Sequence, residues 1–292
     1  MSKGLLDPKV DFVFKNIFGS PNHPEILISF LNATLKAKKK IVNVDIKKTD
    51  IEKQYIEDKY SRLDVKATTS NDEIINIEIQ LKNENNMVKR SLYYLSKMYE
   101  EQLNEKENYS KLVRTVCINI LNFKYLKTDN FHTGYRFKEI ESNEELTDIM
   151  EVHFIEIPKL QDSSDEKDML VAWTEFLKDP ESEKVRGLEL SIEEIRQAKD
   201  ELIRMSNDST QRELYDMRAN SLRDKMSELN AAERKGIEKG REEGREEGRK
   251  EGIEEGRKEE KIEIARNMKL SGLETNTIAK ITNLSEDEID KL

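Results

Sequence analysis

The chain has 292 residues, with 50 Lys and Arg against 60 Asp and Glu, a formal net charge of −10. A mean hydropathy of −0.80 and the lack of any run of about 18 apolar residues exclude a membrane span. The opening MSKGLLDPKVDF has no apolar core of a secretory signal, one Cys excludes a disulfide framework, and three scattered His (His23, His132, His153) give no Cys/His zinc site. The expectation is a soluble cytoplasmic protein.

In chain order, 8–18 (PKVDFVFKNIF) carries Val10, Phe14, Ile17 and Phe18 at helical spacing, with Pro8 suited to a first turn. A second helix is expected over 24–37, again opened by a proline, Pro24. The period then changes to two. Segments 41–48, 61–68 and 74–82 alternate apolar and polar residues, and the last two, joined through Ser70, Asn71 and Asp72, read as a β-hairpin. Helical spacing returns over 88–103 through Leu92, Leu95, Met98, Tyr99 and Leu103, and 113–121 (VRTVCINIL) reads as a buried strand. Cys117 is there most simply a small hydrophobe.

Two more strands are expected at 135–141 and 151–157, and helices at 165–178, 191–206 and 209–229, with Trp173 on an apolar face. The fold class is therefore α/β, a core with a short mixed sheet followed by an all-helical C-terminal region.

Residues 236–260 repeat Gly every four positions, from Gly236 to Gly256. Each interior Gly costs a helix about 1 kcal/mol relative to Ala. The i,i+3 pairs Glu238–Arg241, Glu242–Arg245 and Glu246–Arg249 return about 0.2–0.5 kcal/mol each. A marginal solvated helix and a flexible linker both fit. Segment 261–292 reads as a compact helical unit, with a capping box at Ser285 and Glu288 and apolar Ile278, Ile281, Leu284 and Ile289. Its outline is that of a helix-turn-helix, but its last helix, SEDEIDKL, is acidic and would be repelled by phosphate. A self-association cap, making a homo-oligomer such as a dimer, is the preferred expectation. The expected domains are 1–160, 161–232, 233–260 and 261–292.

The charge is unevenly placed. Residues 1–130 hold 22 Lys and Arg against 18 Asp and Glu, whereas 131–292 hold 28 against 42. The first part also carries a basic knot, Lys36, Lys38, Lys39 and Lys40, followed by Lys47 and Lys48. A polyanion partner such as DNA therefore suits the first part alone; a solvated helix end accounts for the knot equally well.

The chemistry-bearing stretch is 57–82. Asp64 sits on the first hairpin strand, and Glu78 and Gln80, two apart, share a face of the second. Hairpin pairing brings Asp64 beside Glu78, a pair of oxygen donors suited to a hard divalent cation. The alternative is that both are solvent-face residues of an amphipathic hairpin.

The run RLDV, IEIQ, KRSLYYLSKMYEEQL, YSKL and VCINILNF, with the opening DPKVDFVFKNIFG and the Gly-repeat tail, resembles the PD-(D/E)XK nuclease-like transposase family, the recombination-promoting nucleases. The resemblance implies a restriction-endonuclease-like (PD-(D/E)XK) core and Mg²⁺-dependent DNA cleavage, with Mn²⁺ or Ca²⁺ as alternative ions. It links that activity to bacterial recombination, mobile elements or phage defence. It makes Asp64, Glu78 and the carbonyl of Ile79 metal ligands. Gln80 stands where the broader superfamily has Lys, and Asp11 matches an acidic position on the first helix. Arg90 and Lys15 become candidate phosphate contacts; Tyr94 fits core packing better, and Gln102 receives no role. Two rival readings remain: a non-catalytic DNA-binding or transposase-accessory protein, and an oligomerising scaffold or inhibitor acting through the tail.

Overall fold

A computed structural model describes residues 4–37, 39–47, 64–165 and 167–292. Residues 61–63 of the expected hairpin strand, Lys38 and Lys48 lie outside the described residues. The chain divides into two compact units, Met1–Leu222 and Arg223–Leu292.

The first unit opens with helices α1 (Asp11–Phe18) and α2 (Pro24–Leu35). Pro24 occupies the first turn of α2, but Pro8 lies in the turn before α1, not within it. Strands β1 (Val44–Lys47), β2 (Val65–Thr69) and β3 (Ile74–Gln80) follow, then α3 (Met87–Glu100) and β4 (Thr115–Leu121). The hairpin expected from alternation is present, with Asp72 taking the left-handed conformation (φ 60°) in its turn. Strands β5 (His132–Lys138) and β6 (Glu145–Glu156) complete one six-stranded sheet of order β1-β2-β3-β4-β6-β5. It is mixed: β3, β4 and β6 run parallel, and the outer pairs are antiparallel.

Strand β5 begins three residues before its expected start, and β6 six before. Register shifts between Tyr135 and Lys138 break the period of two there, so alternation misplaces the ends. Helices α4 (Met169–Lys178), α5 (Glu183–Glu189) and α6 (Glu193–Asn207) follow. α5 escapes a periodicity search because it is short and buries only Val185 and Leu188; the Ser182 hydroxyl, accepting the Val185 N–H, starts it.

The central strands are buried on both faces. On one face Ile75, Ile77, Ile79, Val116, Ile118, Ile120 and Ile155 pack with α1, α2, α4 and α6 around Trp173 and Phe18. On the other, α3 covers Cys117, Leu121, Val152 and Phe154 with Met87 and Leu95, while Tyr94 and Met98 meet Ile74. The stripe α3 buries is Met87, Ser91, Tyr94, Leu95 and Met98; Leu92 is 48% exposed, so the inward face is rotated from the expected one.

Helix α7 (Ser209–Leu270) runs through the Gly repeat without a break. A side chain at any of the six repeat glycines would meet nothing within 4 Å, so no close approach explains them. Within 236–260 only Lys239–Glu243, 3.6 Å, closes as an ion pair, and the three expected Glu–Arg pairs do not. The second unit ends with α8 (Thr275–Thr282) and α9 (Glu286–Asp290), packed through Ala265, Ile278 and Ile289. The Ser285–Glu288 capping box forms as expected. Ile281 lies outside this core, 57% exposed. No helix among the described residues is long and apolar enough to cross a membrane.

Candidate active site

Pairing of Val65 with Ile77 and Lys66 with Asn76 fixes the hairpin register, and one step further sets Asp64 opposite Glu78. Asp64 falls just before β2, not within it. Its Oδ2 accepts the Ile79 N–H at 2.8 Å. A strand residue directs its N–H and C=O to the same side, so the Ile79 carbonyl lies on the same edge of β3 as the N–H that Asp64 accepts.

Glu78 is fully buried beneath α3. For Glu78 this overturns the solvent-face alternative, because the second face of the strand is covered there by a helix, not by water; Asp64 keeps partial exposure. Arg90, on α3, donates Nε to Glu78 Oε2 at 3.2 Å and places its guanidinium 5.4 Å from the centre of the Tyr94 ring. Tyr94 is buried, in keeping with the packing role expected for it. Glu78 Oε1 is buried, and no hydrogen bond of good geometry reaches it among the described residues.

Both carboxyls are hard to ionise in this setting. Burial pushes Asp64 up to about 7; the Ile79 N–H opposes the rise, and the charges of Glu78 and Asp11 add to it. Burial likewise pushes Glu78 up to about 7 against the pull of Arg90. Two adjacent carboxyls that resist ionisation, one with an unused oxygen, form a place where a cation would be favoured.

Among the described residues no three His, Cys, Asp or Glu side chains gather closely enough to hold a metal ion. The oxygen atoms that could hold an ion here are those of the two carboxyls and a main-chain carbonyl. They suit Mg²⁺, which usually takes one or two carboxylates and keeps several waters.

Gln80 shares the face of Glu78, and its side-chain amide makes no hydrogen bond among the described residues. Asp11 lies close enough to raise Asp64, but its Oδ2 is held by Arg218 Nη1 at 3.0 Å. Lys15 lines the cavity that contains Asp64. Gln102 instead ties α3 to the start of β4, donating to Thr115 Oγ1 at 2.7 Å and accepting the Val113 N–H. The basic knot is placed elsewhere. Lys36 and Lys39 line a cavity with Ser70, Asn71 and Asp72, at the hairpin end away from Asp64, and Lys36 pairs with Asp168. Lys47 is the described member of the basic run that reaches the Asp64 cavity.

Several polar residues escaped sequence reasoning. Asn76, fully buried, shares the face of Glu78, and its amide makes no hydrogen bond of good geometry among the described residues. In the neighbouring strand Asn119 accepts from Ser91 Oγ at 2.9 Å and donates to the His153 carbonyl. The signal was a polar residue at alternate positions in two otherwise apolar strands, Asn76-Glu78-Gln80 and Asn119.

His132 and His153, distant in sequence, are brought together by β5–β6 pairing, Nε2 to Nδ1 at 2.9 Å. His153 also bonds Glu151, so the pair is occupied internally. Burial, reinforced by His153, lowers His132 to about 4.

The family model described as PD-(D/E)XK nuclease family transposase matches residues 8–232, about three-quarters of the chain. A second, described as Rpn/YhgA-like nuclease family, C-terminal HTH domain, matches residues 258–292. No curated protein and no solved structure matches the chain.

Proposed function

Because the chain belongs to the PD-(D/E)XK nuclease family of transposases, we propose that it is a metal-dependent DNA endonuclease centred on Asp64 and Glu78. The observation that carries this reading is the cross-strand carboxyl pair, both members pushed to about 7. The role this suits is DNA recombination, movement of mobile elements or defence against phage.

Asp64, Glu78 and the Ile79 carbonyl would hold the ion, Mg²⁺ or in its place Mn²⁺ or Ca²⁺. When bound, it polarises the phosphodiester and makes a coordinated water more acidic. Arg90 fixes Glu78 through Oε2, and Oε1, which no hydrogen bond of good geometry reaches among the described residues, would be the oxygen that holds the ion. The Ile79 N–H fixes Asp64 in the same way. Gln80 orients the attacking water or a phosphate oxygen by hydrogen bonding, but contributes no positive charge. Asp11 acts on Asp64 through its charge.

The test is nicking of supercoiled plasmid. Wild type is expected to nick in Mg²⁺ and to stop in EDTA, and Asp64→Asn to lose at least a hundredfold in rate. Changing groups behind a metal ligand already costs about 10–100-fold. Nicking that is unaffected by EDTA or by Asp64→Asn would refute the reading.

The C-terminal unit is proposed to join copies of the chain, which suits cutting two strands. Leu270 and Ile281 stand exposed beside its small core, and Glu286, Asp287 and Glu288 crowd the first turn of α9, unfavourably for phosphate. Light scattering should give a lower oligomer for a chain ending at Glu233 than for the full chain. Equal masses would remove the tail from assembly and leave DNA contact as its role.

A further inference from the structure

The cavity at Asp64 extends beyond the carboxyl pair. A groove of about 570 Å³ leads from Asp64 past Phe12, Lys15, Asn16 and Lys47 to Arg218. Helix α1 turns Val13, Phe14, Ile17 and Phe18 to the core, so Phe12, Lys15 and Asn16 lie on its outer face along the groove. Lys15 is partly buried, and among the described residues its ammonium has no ion pair or hydrogen bond. Arg218, about half exposed, is tied to Asp11 through one nitrogen, and its guanidinium lies 5.6 Å from the centre of the Phe12 ring. Gly19, at the end of α1, also lines the groove, and a Cβ there would fall 2.6 Å from the Lys15 carbonyl oxygen.

We propose that this groove binds one unpaired strand of nucleic acid beside the bond to be cut, with a base stacked on Phe12 and phosphates on Lys15 and Arg218. The proposal rests on the nuclease reading for its orientation toward Asp64, and on three features of the groove for its ligand.

The first feature is charge. Lys15 is an uncommitted cation, and a guanidinium has five N–H donors, so Arg218 can take a phosphate while keeping Asp11. The second is the ring. An aromatic side chain interleaved with cations in a groove is the pattern that holds single strands, because every unpaired base offers a face for stacking. In a duplex the base faces are covered by their neighbours, and a ring set into a groove cannot reach them.

The third feature is size. A volume of about 570 Å³ lies within the usual range of small-ligand pockets, enough for one or two nucleotides and far too little for a double helix. The basic knot cannot substitute, since Lys36 and Lys39 lie at the opposite end of the hairpin.

Fluorescence anisotropy of the full-length chain in EDTA tests this without cleavage. The probes are a labelled single strand of about 12 thymidines, long enough to fill the groove with nucleotides to spare on either side, and a duplex of equal length. Phe12→Leu is expected to weaken single-strand binding about fivefold or more, and Phe12→Tyr to retain it. Lys15→Ala should weaken binding and lower the salt slope by about 0.7. Thermal melting checks that each variant is folded. Wild-type affinity in Phe12→Leu and Lys15→Ala, or a duplex bound as tightly as the single strand, would overturn the proposal.

The outcome is separable from that of the nuclease reading. If Phe12 and Lys15 govern strand binding but no nicking occurs in Mg²⁺, the reading of Asp64 and Glu78 fails and the strand groove stands. If nicking depends on Asp64 and both groove variants bind normally, the groove assignment fails alone.

Discussion

Glu78→Gln is expected to make the metal-free protein more stable by about 2–3 kcal/mol at about pH 8, and no more stable below about pH 4.5. Burial raises the Glu78 carboxyl from 4.5 to about 7. Below the lower value, the folded and unfolded chains both hold the proton. Between the two, the unfolded chain ionises while the folded one does not, so rising pH favours unfolding. Above about 7 the folded carboxylate is charged and its full cost is present. Gln has the shape of the protonated acid and carries no such cost. Denaturant unfolding of both proteins in EDTA at the two pH values measures the difference. Equal stability at both would mean that Glu78 is not held against its ionisation, and the site would lose its physical basis. Saturating Mg²⁺ should narrow the gap at pH 8, since an ion bound only by the folded state adds about 2.7 kcal/mol at 100 times its Kd.

Glu151→Ala is expected to destabilise the first unit by about 3–5 kcal/mol, the usual cost of removing one partner from a buried ion pair. Glu151 is buried on β6 and accepts from Arg114, Arg136 and His153. Burial opposes its charge, yet the bonds from His153, Arg114 and Arg136 win and hold its carboxyl down at about 2. Its stabilisation is thus full above the unfolded value near 4.5 and is lost as pH falls toward 2, the opposite direction from Glu78. Arg114 retains Glu73, and Arg136 retains Glu145, which places the loss toward the lower figure. At about 2–4 °C per kcal/mol for a unit of this size, Tm should drop by about 6–12 °C. A change under about 0.5 kcal/mol, typical of surface positions, would show that the two remaining carboxylates carry the arginines unaided.

The two expected effects separate the roles of buried acids in this fold. Glu151 sits among three donors and stabilises the sheet. Among the described residues Glu78 has one ion-pair partner and an oxygen without a hydrogen bond of good geometry, and it costs stability until something binds it. Buried charge without full compensation is the pattern expected where function outweighs stability.

The alternation in 61–82 was enough to place the hairpin and to set Asp64 against Glu78, because a period of two leaves little freedom of register. What it could not convey was the covering of the polar face. Asn76 and Glu78 look like residues turned to water until α3 is laid over them by Met87, Tyr94 and Leu95, contacts that depend on tertiary packing. Arg218 was beyond reach for a related reason. It is 207 positions from Asp11, and nothing local in the first turns of α7 reveals that they return to α1. The basic knot misled in the other direction, since closeness in sequence to β1 says nothing about which end of the sheet it occupies. At the C-terminus the capping box was legible because it needs only two side chains three residues apart. The continuity of α7 was not, because the summed cost of six interior Gly outweighs what the local ion pairs return, so local propensity argues against a helix there.

The most direct test of the central claim is the Mg²⁺-dependent plasmid-nicking rate of Glu78→Gln beside wild type, on preparations with matched single-strand affinity. The account predicts that nicking falls at least a hundredfold, beyond the losses of about 10–100-fold seen for residues behind a metal ligand, while affinity is kept. A Glu78→Gln protein that nicks at the wild-type rate would contradict it.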